Sequence, residues 1–122
     1  MPADLVGTTA AVYVGAMRDD YAELVHATGE SVIGQHSNAG LHRGVIANRV
    51  SYVFGLRGAS VVVDTAQSSS LVAVHMASEA VATGQAPLAI VAGFNLNILA
   101  ESALAAERFG GLSPDGRCRT FD

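Results

Sequence analysis

The fifteen residues from Val61 to His75 hold the side chains in this chain best placed to do chemistry. A β-branched run, Val61-Val62-Val63, stops at Asp64 and Thr65, and an apolar, Ala-rich run begins just after Ser68, Ser69 and Ser70. This order predicts a strand, a sharp turn and a helix, with Gln67 at the turn. A residue held there lies beside the backbone N–H groups of a helix N-terminus, whose partial positive charge stabilises a developing anion. Such a turn suits a nucleophile or an oxyanion site. Gln67 carries a neutral amide, which donates and accepts hydrogen bonds but is no nucleophile. The three serines read either as a nucleophile cluster or as residues that cap and fill the first helical turn. The second reading is preferred, because no His or Asp is placed in sequence to suggest a triad.

Other polar residues are weaker candidates. His75 lies well inside the expected helix and reads as a hydrogen-bonded core histidine rather than a general base. His26, His36 and His42 form no metal-ligand spacing with one another or with Cys118. Cys118, in Asp115-Gly116-Arg117-Cys118-Arg119, reads as a loop thiol with no role rather than as a nucleophile activated by two arginines. Gly34 and Gly40 lack the Gly-Lys-Ser/Thr ending or the Gly-x-Gly-x-x-Gly pattern of a phosphate loop. Asn95 and Asn97 follow a predicted strand end, where ligands favour the carboxyl edge, and read equally as pocket or turn residues.

The elements that position these residues alternate along the chain. Thr9 to Val14, Ala59 to Val63 and Leu88 to Ala92 read as strands. Asp19 to Ala27, with acids in its first turn, Gly44 to Phe54 with Gly55 as its stop, Ser68 to Thr83 and Glu101 to Arg108 read as helices. Ser31 to Arg43 and Leu112 to Asp122 read as loops. Strand–helix alternation argues for an α/β fold with a parallel sheet. The Ser68–Thr83 helix is apolar almost all round, so it is expected to be buried on most faces.

Composition narrows the function classes. The 122 residues suit one domain; half are apolar and 15% are charged, which excludes a disordered tail. The net charge is −4 and the seven basic residues, all Arg, are scattered, so no nucleic-acid surface is expected. The single cysteine excludes an internal disulfide and is consistent with a reducing cytoplasm. No apolar run reaches the roughly 18 residues of a membrane span, and the N-terminus lacks the pattern of a signal peptide.

The Asp64-Thr65-Ala66-Gln67-Ser68-Ser69-Ser70-Leu71-Val72-Ala73 stretch resembles the nucleophile elbow of β-ketoacyl synthases, the ketosynthase domains of modular type I polyketide synthases. Those usually carry Cys where Gln67 stands. Asn48 to Gly58 and Phe109 to Asp122 extend the likeness over essentially the whole chain, which covers less than a third of a family domain. Gln in the Cys position is similar to the KSQ variant of loading modules, which decarboxylates malonyl or methylmalonyl groups on an acyl carrier protein to make the starter unit.

The resemblance implies a thiolase-like fold, incomplete here, with residues 1–122 forming part of the N-terminal half. It implies that the Gln67 amide mimics an acylated thiol while its backbone N–H joins the oxyanion hole. It implies no bound cofactor, since the substrate rides on the carrier's phosphopantetheine, and as partners the carrier protein, an acyltransferase domain and a second copy of the domain paired at the Ala59–Val63 edge. The family's two histidines and a lysine lie in motifs absent from this chain. Its first strand is also absent, so the Thr9 and Leu88 strands are expected to flank an unfilled slot. The chain reads as a fragment, itself inactive, from a broken gene, a partial clone or an incomplete assembly. Chain-length-factor subunits, non-catalytic partners of a ketosynthase, also carry Gln here and are the alternative, beside a product with no biochemical role.

Overall fold

The computed structural model describes residues 2–119. After a 3-10 turn at Pro2–Leu5, the chain runs through β1 (Ala11–Gly15), α1 (Asp20–Thr28), a 3-10 turn (Glu30–Val32), α2 (Ser37–Leu41) and α3 (Gly44–Phe54). It continues through β2 (Ser60–Val63), α4 (Ser69–Ala82), β3 (Ala89–Gly93) and α5 (Ala100–Arg108). The three strands form one parallel sheet in the order β2-β1-β3.

β1 is buried along its whole length because helices cover both faces of the sheet. The two-residue period of a strand sends Ala11 and Tyr13 to one side, where they pack with Val63 and the Ala73, Ala77 and Ala80 stripe of α4. Val12 and Val14 point to the other side, against Ala47 and Val50 of α3. The α4 stripe is built of alanines, so the helix axis comes close to the sheet. Glycines bring its first turn closer still. A Cβ added at Gly15 would stand 2.7 Å from the Ser70 backbone nitrogen, and one at Gly93 would stand 2.6 Å from Ser70 Cβ. The ends of β1 and β3 thus cradle the start of α4.

The expected parallel α/β architecture is present, with element ends within two residues of expectation, and Gly55 (φ 63°) closes α3. Four expectations need correction. There is no slot beside β1: β1 and β3 pair directly, from Ala11↔Ala89 to Gly15↔Gly93. That pairing satisfies the facing backbone groups of the two strands, and α4 crosses over them. β2 does lie at an edge of this sheet.

α4 is buried on one face only. Leu71, Val74 and Val81 are exposed, because the alanines take the inward positions. His75 shares the outward face; its side chain is 71% exposed and 3.7 Å from Glu79, so it is no core histidine. Finally, the segment 31–43 is not all loop. Ser37 Oγ accepts the Gly34 N–H at 2.9 Å, and an Asn38–His42 side-chain bond spans one turn of α2, so short-range bonds make a helix of a glycine-punctuated stretch. Residues 112–119 form no helix or strand, and the remainder of the expected loop, 120–122, lies outside the described residues.

Candidate functional site

The turn after β2 is held by its own residues. Ala66 is the one non-glycine residue among those described with a positive φ, 56°. That conformation costs an alanine roughly 1 kcal/mol. Hydrogen bonds around it offset the cost. The Ala66 N–H donates to Asp64 Oδ1 at 3.1 Å, and the Thr65 N–H donates to Ser69 Oγ at 2.9 Å. The buried Ser69 hydroxyl donates to the Ala66 carbonyl at 2.5 Å. Ser68 Oγ donates to the Thr65 carbonyl at 2.8 Å. Two of the three serines therefore tie the turn rather than cap the helix; no side-chain bond caps α4. The kink leaves Gln67 exposed at the tip, just before the first turn of α4.

Arg43 supports this turn from outside. Its Nη1 pairs with Asp64 Oδ2 while its Nε lies 3.0 Å from Asp19 Oδ1. The Ala66 N–H, and then Arg43, hold the Asp64 carboxyl below its usual pKa, so it is charged and accepting at neutral pH.

The turn after β3 carries Asn95 and Asn97. Asn95 Nδ2 donates to Asn97 Oδ1 at 2.9 Å, which fixes the two amides against each other. The residue preceding α5 is Leu99, which has no side chain able to cap a helix. Asp20 supplies the cap from 79 positions away. It is 4% exposed; its Oδ2 accepts the Leu99 N–H at 3.1 Å and the Ile98 N–H at 3.2 Å, and its Oδ1 accepts the Ser102 hydroxyl at 2.8 Å. The Leu99 N–H, then the Ser102 hydroxyl, lower the Asp20 pKa.

Both turns open on one cavity of about 570 Å³. Gln67, Ser69 and Ser70 line it from the elbow, Asn95 and Asn97 from the β3 side, and Ala103, Ala106 and Leu112 give it apolar wall. The structure thus brings Gln67, Asn95 and Asn97 to one space at the carboxyl ends of the strands. Cys118 is exposed and does not line it. Among the described residues no three His, Cys, Asp or Glu side chains gather as metal ligands, and no helix is long and apolar enough to cross a membrane. Sequence reasoning missed Ala66, Arg43 and Asp20. Asp20 was legible only as an acid in the first turn of α1; its bonds to residues near position 100 leave no local signal.

Comparison with known proteins places this geometry. The family model "Beta-ketoacyl synthase, N-terminal domain" matches residues 1–122. The polyketide synthase GfsA of Streptomyces halstedii is 54% identical over all 122 residues, which are 2% of its length. The highly reducing polyketide synthase tstA of Talaromyces stipitatus is 44% identical over 98% of this chain and 5% of its own. Among solved structures, the ketosynthase from module 6 of the bacillaene synthase of Bacillus subtilis superposes with a TM-score of 0.80 at 30% identity, over 97% of this chain and 19% of that one. The oxazolomycin ketosynthase domain OzmH KS7 of Streptomyces albus gives 0.77 at 34%, over 98% and 21%. The chain therefore spans a small part of each relative, and its α/β sheet is the N-terminal part of their thiolase-like fold. A family model spanning every residue, with solved ketosynthases that superpose over nearly the whole chain, shows that this chain belongs to the β-ketoacyl synthase family, in its N-terminal domain.

Proposed function

We propose that this chain is the elbow-bearing part of a KSQ-type ketosynthase domain in a polyketide synthase loading module, which decarboxylates malonyl or methylmalonyl groups on an acyl carrier protein. The observation that carries the reading is an amide, Gln67, at the tip of a turn built for a nucleophile. A side chain that cannot be acylated excludes chain transfer to this position and leaves decarboxylation as the half-reaction available to the site.

In this reading the malonyl thioester enters the cavity from the open side. The bond between the α-carbon and the carboxylate breaks, and carbon dioxide leaves. The electron pair forms an enolate with its charge on the thioester oxygen, and a proton from water then restores the acyl group. The Gln67 N–H, at the positive end of α4, faces that oxygen and stabilises the enolate more than the ground state. The Gln67 side-chain amide fills the space of an acylated thiol. Asn95 and Asn97 orient the acyl group across the cavity. The family's two histidines, which the resemblance places in the second half of the domain, share the enolate charge. The carrier protein's phosphopantetheine delivers the substrate, an acyltransferase domain of the same synthase loads it, and two copies of the domain pair at the β2 edge.

The test uses the intact synthase polypeptide carrying these residues. It should convert malonyl-carrier to acetyl-carrier without itself being acylated, as read by intact-protein mass. Gln67→Cys should gain a covalent acyl group. A wild-type protein that condenses two acyl chains, or that leaves malonyl-carrier unchanged, would overturn the reading.

A further inference from the structure

The cavity beneath Gln67 has one charged residue in its wall, Arg18. It lies just past the carboxyl end of β1 and is exposed. A single donor is committed: Nη1 reaches the Ser102 carbonyl at 3.3 Å. Among the described residues the arginines that form ion pairs are Arg43 and Arg119; Arg18 forms none. The carboxylate beside it in sequence, Asp20, feels the Arg18 charge but makes no hydrogen bond to it; its oxygens accept from the Ile98 and Leu99 N–H groups and the Ser102 hydroxyl. Arg18 therefore brings a guanidinium with spare donors to a cavity whose other lining side chains are neutral.

An anion entering such a cavity gives up hydration, and it enters only if a charged donor replaces the lost water. A guanidinium matches the two oxygens of a carboxylate in one plane. We propose that Arg18 is the specificity-determining residue of this site: it pairs with the free carboxylate of an α-carboxyacyl thioester and admits that substrate in preference to the uncharged acyl thioester. The proposal rests on the decarboxylase reading above and adds to it the group that selects the substrate. It also fixes where the residue acts. Charge leaves the carboxylate as carbon dioxide forms, so a cation there favours the bound substrate over the transition state. Arg18 should act on KM and not help kcat.

The intact polypeptide is compared with Arg18→Gln and Arg18→Lys. Binding is measured to carrier protein bearing malonyl or acetyl through a non-hydrolysable amide, and turnover is measured on malonyl-carrier. Arg18→Gln should weaken malonyl binding about tenfold and leave acetyl binding alone. KM should rise by about the same factor without a fall in kcat, and Arg18→Lys should recover much of the preference. Both carriers present the same phosphopantetheine phosphate. Equal weakening of both in Arg18→Gln, with preference also unchanged in Arg18→Lys, would assign Arg18 to the arm and overturn the proposal. Unaltered malonyl binding would overturn it too. A wild type that prefers malonyl through Arg18 yet releases no carbon dioxide would sink the decarboxylase reading and leave Arg18 in place.

Discussion

The turns after β2 and β3 leave the two outer strands of one sheet, enter helices and face one cavity, but they are held in opposite ways. The elbow, 64–68, is secured by bonds among Asp64, Thr65, Ala66, Ser68 and Ser69, all within five positions of one another. The β3 turn, 94–99, has one local side-chain bond, Asn95 to Asn97, and its entry into α5 is held by the Asp20 carboxylate from the far end of the chain. A locally closed turn can carry backbone strain at Ala66, because several short bonds offset it. A turn whose entry into its helix is held by a distant group takes its position from the rest of the fold. The half of the cavity that bears Gln67 is thus expected to be the rigid half, and the half that bears Asn95 and Asn97 the adjustable one.

The largest expected effect comes from the cradle that both turns share. Gly15→Ala places a Cβ 2.7 Å from the Ser70 backbone, which has no room to yield, so a destabilisation of about 3 kcal/mol or more is expected in urea unfolding. Gly93→Ala meets the Ser70 side chain instead and should cost less. Equal tolerance of both would mean that α4 does not sit tightly between β1 and β3.

Asp20→Asn follows. It removes the charged cap of α5, and a fall of several degrees in Tm is expected. Hydrogen exchange should rise at 94–99 and stay unchanged at 64–68; a rise at both would erase the contrast between the turns. Because the folded pKa of Asp20 lies below its unfolded value, its stabilisation is present above roughly pH 4 and is lost as pH falls through the folded value. The gap in stability between wild type and Asp20→Asn should therefore close in acid.

Arg43→Gln removes two partly exposed ion pairs, to Asp19 and Asp64, so the Tm should move by no more than about 5 °C. Exchange at Ala66 should rise modestly, while the internal bonds keep the turn closed. The smallest effect belongs to Ala66→Gly. Relief of the positive φ and the greater freedom of glycine in the unfolded chain nearly cancel, leaving stability within about 0.5 kcal/mol of wild type in urea titration. A large loss there would show that the methyl group, and not the backbone shape, is what the elbow needs.

The same contrast explains what was legible in the sequence. The elbow was readable because its parts are contiguous: a valine run, Asp64 and Thr65, Gln67, three serines and an apolar helix. α3 was readable from its apolar spacing and Gly55. The direct pairing of β1 with β3 was not, because strand order depends on contacts between residues some eighty positions apart and the family pattern pointed to a slot. The exposure of His75 was hidden by an apolar composition that masks which face alanine takes. Ala66 looked ordinary because strain lies in the backbone. Asp20 takes its role from residues far along the chain, and no local pattern marks it.

Release of carbon dioxide from malonyl-carrier by the intact polypeptide, wild type against Gln67→Ala, tests the central claim most directly. Under the proposed role of the amide, its loss should lower the rate at least about tenfold, with the fold unchanged by circular dichroism. Full activity in Gln67→Ala would contradict the account and leave Gln67 a spacer at the start of a helix.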